Sequence, residues 1–314
     1  MEASSTTAGG PAGLNRQRSS RSVGEAVIKG LLIFAALISV LTTTGIVIAL
    51  ARDTIRFFGE VGIGEFFFGT KWTPLAGGDQ QSFGVLPLIY DTFYLTGIGL
   101  VVAIPFGLGS AIYLSEYASP RVRRLLKPTI EVLAGIPTIV FGYFALTFVT
   151  PLFKDQLGID LSTFNALSAG LVLGILVLPT IATVADDALS SVPNSLREGA
   201  FGLGASRSQV ALRVVFPAAL SGVVAAIVLG ASRAVGETVI ILIAGGQLAN
   251  LTLDPTQQMQ NMAAFIAATS QADISTQGTE GLTIFVVGST LFVITLVLNM
   301  ISIRFVRKYR QVYE

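Results

Sequence analysis

The sequence predicts an all-α polytopic membrane protein with six transmembrane helices and both termini in the cytoplasm. Three observations predict it. Of 314 residues, 52% are hydrophobic and only 12% charged, with a mean hydropathy of +0.72; soluble domains carry about 25% charged residues. Apolar runs of roughly 20 residues, the length that crosses a bilayer, recur along the chain. Lysine and arginine concentrate on alternate connections, which orients the spans. The chain has no cysteine and no histidine. Disulfides, zinc-thiolate and iron–sulfur sites are thereby excluded, as are imidazole catalysis and most transition-metal sites. The formal net charge of +1 says little because the charges are segregated. No basic stripe accompanies the arginines, so nucleic acid is not an expected partner.

Residues 1–26, rich in Ser, Gly, Ala and Arg, read as a disordered cytoplasmic tail. The run Val27 to Leu50 is too long for a signal-peptide core and lacks a small-residue cleavage site. It reads as an uncleaved first span. The other spans are expected at about 88–115, 129–149, 166–185, 218–244 and 282–303. They complete a transmembrane domain over 27–305, followed by a cytoplasmic tail, 306–314. Pro105, Pro137 and Pro179 fall inside spans, where neighbouring helices can re-satisfy the freed carbonyls. The pairs Gly97/Gly99 and Gly107/Gly109 read as close-packing positions. Basic residues crowd the N-terminal tail and span edge (Arg16, Arg18, Arg21, Lys29), the second connection (Arg121, Arg123, Arg124, Lys127), the fourth (Arg197, Arg207, Arg213) and the C-terminal tail (Arg304, Arg307, Lys308, Arg310). The opposite side holds Arg52, Arg56, Lys71 and Lys154. The external loops are 51–87 and 245–281, and the second has neither lysine nor arginine. Trp72, Tyr90, Tyr94 and Tyr143 are candidate interfacial anchors.

The cytoplasmic stretch Ser195 to Pro217, SLREGAFGLGASRSQVALRVVFP, is built like a docking element. Ser195 with Glu198, and Ser206 with Gln209, have capping-box spacing. Gly204 stands where a helix would end in the left-handed conformation that glycine enters cheaply. The pattern predicts a short helix, a glycine corner and a second helix leading to Pro217.

Four ionisable residues fall within the expected spans: Asp91, Glu131, Arg233 and Glu237. A charge at the bilayer centre costs about 2.5–3.5 kcal/mol on insertion scales. Arg233 and Glu237 stand four apart, on one face of a continuous fifth helix, where an intrahelical pair is the bland explanation. Such a pair adds only about 0.2–0.5 kcal/mol, and Arg before Glu is the poorer order. A substrate path is therefore the better reading. The guanidinium offers a planar fork of donors suited to tetrahedral oxyanions. Glu237 repels naked anions but can accept a hydrogen bond from one that keeps a proton, as phosphate does and sulfate does not. Glu131, close to Arg123, Arg124 and Lys127, is expected in a solvated or paired structural role. Asp91 is expected to snorkel or cap near the external mouth.

Glu198-Gly199-Ala200, then Gly204, then Val214-x-Phe216-Pro217 resembles the EAA motif of ABC-importer permeases, E-A-A-x3-G-x9-I-x-L-P. Gly199, Val214 and Phe216 depart from it. The resemblance implies that the stretch around Arg197, Glu198, Gly199, Ala200, Gly204 and Ala205 is the coupling element for an ATPase. The words EVLAGIPTIVFGYFA (131–145) and GASRAVGETV (230–239) are similar to phosphate-specific importers. Trp72-Thr73-Pro74 and FGVLPLIYDT (83–92) are similar to their C-type permeases. Residues from about 25 to 310 share the likeness. It implies a type I ABC-importer permease fold in the bacterial cytoplasmic membrane, with Arg233 and Glu237 matching the functional Arg and Glu of the RAxGET segment. It also implies three partners: an A-type permease, a dimer of ATP-binding subunits and an extracytoplasmic phosphate-binding protein.

No lysine follows a glycine, so the chain has no P-loop. ATP and Mg are expected on the partner ATPase, and no cofactor in this chain. The rival readings are a permease for molybdate or sulfate and an ion-coupled secondary transporter. The second commonly shows internal repeats, and none is evident here. A membrane hydrolase would rest on Ser, Lys or carboxylates alone, without a G-x-S-x-G elbow.

Overall fold

A computed structural model describes residues 20–272 and 278–309. Most of the expected N-terminal tail, residues 1–19, and the end of the C-terminal tail, residues 310–314, lie outside the described residues. The chain divides into two units, residues 1–49 and 50–314. Helix α1 (Ser20–Phe58) contains the first apolar run and begins before the expected start at 27. No proline stands in its first turns to stop it, and extending a formed helix is far cheaper than nucleating one.

Among the described residues, four helices are long and apolar enough to cross a membrane: Gly24–Phe58, Leu86–Tyr117, Ala166–Ser190 and Thr279–Arg304. Two bent pairs raise the number to six if each pair counts as one span. After α1 come a short helix α2 (Ile63–Phe68) and a two-residue antiparallel ribbon, β1 (Trp72–Thr73) with β2 (Ser82–Phe83). Trp72 lies opposite Phe83 and packs edge-on against Phe265 with centroids 5.0 Å apart. Trp72 is therefore a core residue of this end rather than an exposed interfacial anchor. Tyr143 does remain exposed.

Helix α3 (Leu86–Ile112) carries Pro105 and runs on through a wide π-type turn, Tyr113–Tyr117. Helix α4 (Pro120–Ala134) begins at Ser119, whose hydroxyl accepts the Val122 N–H. The expected third span, 129–149, is not one helix. Gly135-Ile136-Pro137 breaks it, and α4 meets the run Thr138–Gln156, which begins with α5 (Thr138–Phe144), at 86°. Proline has no N–H to donate and disfavours helical backbone at the residue before it. Glu131 consequently sits exposed on α4.

Helix α6 (Ala166–Ser190) is the centre of the larger unit, capped by Asn165 through the Ser168 N–H at 2.8 Å. It packs along α3 through glycines. A Cβ on Gly174 would lie 2.6 Å from the Gly99 carbonyl oxygen, so the two backbones touch as small-residue membrane interfaces do. Gly97 and Gly109 face open space; residues two apart on a helix point in different directions.

Helices α7 (Asn194–Gly202), α8 (Arg207–Val210) and α9 (Phe216–Ala218) form the loop that ends the fourth connection. A wide turn, Ala211–Val215, joins α8 to α9, and the chain then bends by 74° into α10 (Leu220–Val235). Residues 239–245 are again helical, 246–261 are irregular, and α11 (Met262–Gln271) and α12 (Thr279–Tyr309) follow.

Candidate functional site

The fifth span is broken at the site itself. Helix α10 ends at Val235, and Gly236 and Glu237 form the turn before the next helical stretch. The expected continuous helix with Arg233 and Glu237 on one face is therefore not present. Arg233 occupies the last turn of α10, where the negative end of the helix favours a cation. Glu237 stands just ahead of residues 239–245, and its Oε1 accepts the N–H groups of Val239 and Ile240 at 3.2 and 3.4 Å. Each charge thus lies at a helix end of complementary sign. The poor Arg-before-Glu order within one helix no longer applies.

Among the described residues no ion pair joins the two. The Arg233 Nη1 donates to Thr180 Oγ1 on α6 at 3.0 Å, and the side chain is otherwise exposed. Glu237 is 9% exposed. Its backbone carbonyl accepts the Asn261 Nδ2 at 2.7 Å, and Asn261 Oδ1 caps α11 through the Ala264 N–H at 2.8 Å. Thr180 supports the Arg233 side chain and Asn261 the Glu237 backbone, and sequence reasoning passed over both. Asn261 carried a signal, an Asn directly before an apolar run. Thr180, one polar residue inside the apolar α6, carried none.

Asp91 is fully buried on α3 and does not snorkel. Its Oδ2 accepts the backbone N–H groups of Asn250 and Gln260 at 3.0 and 3.1 Å. Beside it, Tyr90 and Tyr94 stack and donate their hydroxyls to the carbonyls of Thr252 and Leu253. In that same segment the hydroxyl and N–H of Thr256 hold the Asp254 carboxyl below the usual carboxylate range.

At the other end, the loop 195–217 is rigid for identifiable reasons. Gly204 has φ +82, as the C-terminal corner requires. Ser206 and Gln209 form both halves of a capping box. The Ser195–Glu198 box does not form, because α7 begins earlier, with Pro193 at the N-cap position. Of the expected coupling residues, Glu198, Gly199 and Gly204 are exposed, whereas Ala200 and Ala205 are half-buried against the core that contains Val192 and Val210. Arg197 turns inward. It pairs with Glu116 at 2.9 Å, with side chains 14% and 8% exposed, and donates to the carbonyls of Leu189 and Val192. Leu203, at the tip, is 92% exposed.

Residues 103–311 match the family described as binding-protein-dependent transport system inner membrane component, a stretch that includes the loop, Arg233 and Glu237. A probable ABC transporter permease protein, YqgH of Bacillus subtilis, is 32% identical over 298 residues, 94% of each chain. The phosphate transport system permease protein PstC of Haemophilus influenzae is 32% identical over 280 residues, 82% of this chain and 84% of that one. The solved alginate ABC transporter in complex with its alginate pentasaccharide-bound periplasmic protein matches with a TM-score of 0.60 at 16% identity, over 88% of this chain and 94% of that one. The inward-facing MetNI methionine ABC transporter matches with a TM-score of 0.52 at 19% identity, over 73% and 95%. These likenesses establish an ABC-importer permease fold. The chain belongs to the binding-protein-dependent transport system inner membrane component family, the permease subunits of ABC importers.

Proposed function

We propose that the chain is the C-type permease of an ATP-driven importer that carries inorganic phosphate across the bacterial cytoplasmic membrane. The observation that carries this reading is the broken fifth span. A permanently charged guanidinium, held by one neutral hydroxyl, stands beside a carboxylate of which only Oε1 is bonded among the described residues. Arg233 would guide the anion. The second Glu237 oxygen would accept a hydrogen bond from the hydroxyl that phosphate keeps at neutral pH, whereas sulfate, with no proton, would meet only repulsion there. Similarity to PstC supports phosphate, whereas similarity to YqgH supports a permease without naming a cargo.

On this reading six spans form a domain over about 27–305, each bent pair counts as one, and both termini are cytoplasmic. An A-type permease completes the pathway, two ATP-binding subunits carry ATP and Mg, and a phosphate-binding protein docks outside. The exposed Glu198, Phe201 and Leu203 would seat in a cleft of the ATPase. Packed interfaces switch between discrete arrangements instead of deforming smoothly, so such a helix can carry motion into the membrane.

The test is ATP-driven uptake of labelled phosphate, sulfate and molybdate into proteoliposomes holding the full complex, for the wild type and Glu237→Gln. We expect phosphate alone to accumulate in the wild type, and Glu237→Gln to lose discrimination against sulfate. Wild-type uptake of molybdate or sulfate instead of phosphate would reassign the cargo. Full selectivity in Glu237→Gln would remove the hydrogen-bond-accepting role.

A further inference from the structure

The irregular segment 246–261 is tied down along its whole length. Asp91 of α3 accepts the N–H groups of Asn250 and Gln260, and Tyr90 and Tyr94 hold the carbonyls of Thr252 and Leu253. At the start of α6, the N–H groups of Ala166 and Leu167 donate to the carbonyls of Gln257 and Pro255 at 2.9 and 2.8 Å. The outward side of the same segment exposes Leu248, Leu251 and Leu253. Its last residue, Asn261, is 2% exposed and uses both ends of its amide. One end caps α11 and the other donates to the Glu237 carbonyl at 2.7 Å. Segment, α11 and the break in the fifth span therefore meet at one side chain.

We infer that Asn261 is a positioning residue for Glu237. Its amide makes the break in the fifth span follow the segment 246–261, so that a partner seating on that segment also moves Glu237. The inference rests on the proposed function, in which that partner is the loaded binding protein. The physical basis is that a buried amide nitrogen gives up a good hydrogen bond only at the cost of leaving a polar group unpaired.

Two substitutions separate the two ends of the amide. Asn261→Asp and Asn261→Ser both keep an oxygen able to cap α11; an ionised Asp has no donor for the Glu237 carbonyl, and the single serine hydroxyl, one bond shorter than the amide nitrogen, is committed to the cap. In proteoliposomes holding the full complex, three quantities are read: basal ATP hydrolysis, hydrolysis stimulated by phosphate-loaded binding protein, and phosphate uptake. We expect both variants to keep basal hydrolysis and the melting temperature of the complex. Stimulated hydrolysis and uptake should both fall roughly fivefold or more, the size of a typical coupling between sites. The inference is overturned if both variants stimulate and transport as the wild type does. It is also overturned if basal hydrolysis and melting temperature fall in step with uptake, since that marks a merely structural side chain. Arg233→Gln and Glu237→Gln run alongside. If those two leave uptake intact, the proposed path itself fails. If they abolish it while the Asn261 variants are silent, only the relay fails.

Discussion

The end of the larger unit that includes the loop 195–217 and its interior hold their charges in opposite ways. At the loop end, charges neutralise one another. Asp186 on α6 is fully buried and accepts from Arg123 at 2.8 Å and Lys127 at 3.1 Å, while Lys127 also reaches Asp187 at 2.8 Å. Arg197 and Glu116 form a second pair that binds the loop 195–217 to the end of α3. In the interior, Arg233, Glu237 and Asp91 have no ionic partner among the described residues and lean on a hydroxyl and on backbone N–H groups. A charge satisfied by its opposite is spent on holding the fold. A charge held by neutral dipoles keeps its field for a ligand. On the proposed function, rigidity falls to one end and cargo handling to the other.

Removing members of the ionic end should cost stability and leave selectivity alone. Asp186→Asn strands Arg123 in a partly buried site and leaves Lys127 with Asp187 alone. We expect the complex to lose about 3–5 kcal/mol, the usual cost of breaking a buried pair, read as a fall in melting temperature. Glu116→Gln leaves Arg197 its carbonyl acceptors and should cost less, about 2 kcal/mol; a drop in coupled transport per ATP hydrolysed would show that the loop had loosened. At the glycine corner, Gly204→Ala forces a side chain into the left-handed region, at about 1–2 kcal/mol. Ser206→Ala removes one half of the capping box and should cost about 1 kcal/mol, measured by the same melt. If any of these four instead altered discrimination between phosphate and sulfate while the complex stayed intact, the division between the two ends would break.

The sequence carried the helical membrane architecture because a 20-residue apolar run is its own signal. The glycine corner and the second capping box were legible for the same reason: both are local, and Gly204 and Ser206 need only their neighbours. What was not legible depends on distant partners. Pro137 was visible, yet hydropathy reads straight through the 86° bend because both arms contain apolar residues. The break after Val235 has no proline at all, and Gly236 alone looks like ordinary packing in a glycine-rich chain. Asp91 near a helix start reads as exposed, until a segment about 160 residues later, by its Asn250 and Gln260 N–H groups, covers it. Arg197 resembled part of a docking face and proved to be turned toward Glu116, 81 residues earlier.

The central claim, that Arg233 is kept free of an ionic partner in order to meet an oxyanion, is tested most directly by one substitution. ATP-driven phosphate uptake should be measured in proteoliposomes for the wild type and Arg233→Gln, with assembly, ATP binding and melting temperature followed on the same preparations. The account predicts that Arg233→Gln assembles, binds ATP and melts like the wild type, and takes up no phosphate above empty vesicles. Uptake at the wild-type rate would contradict it and reduce Arg233 to a helix-end charge bonded to Thr180.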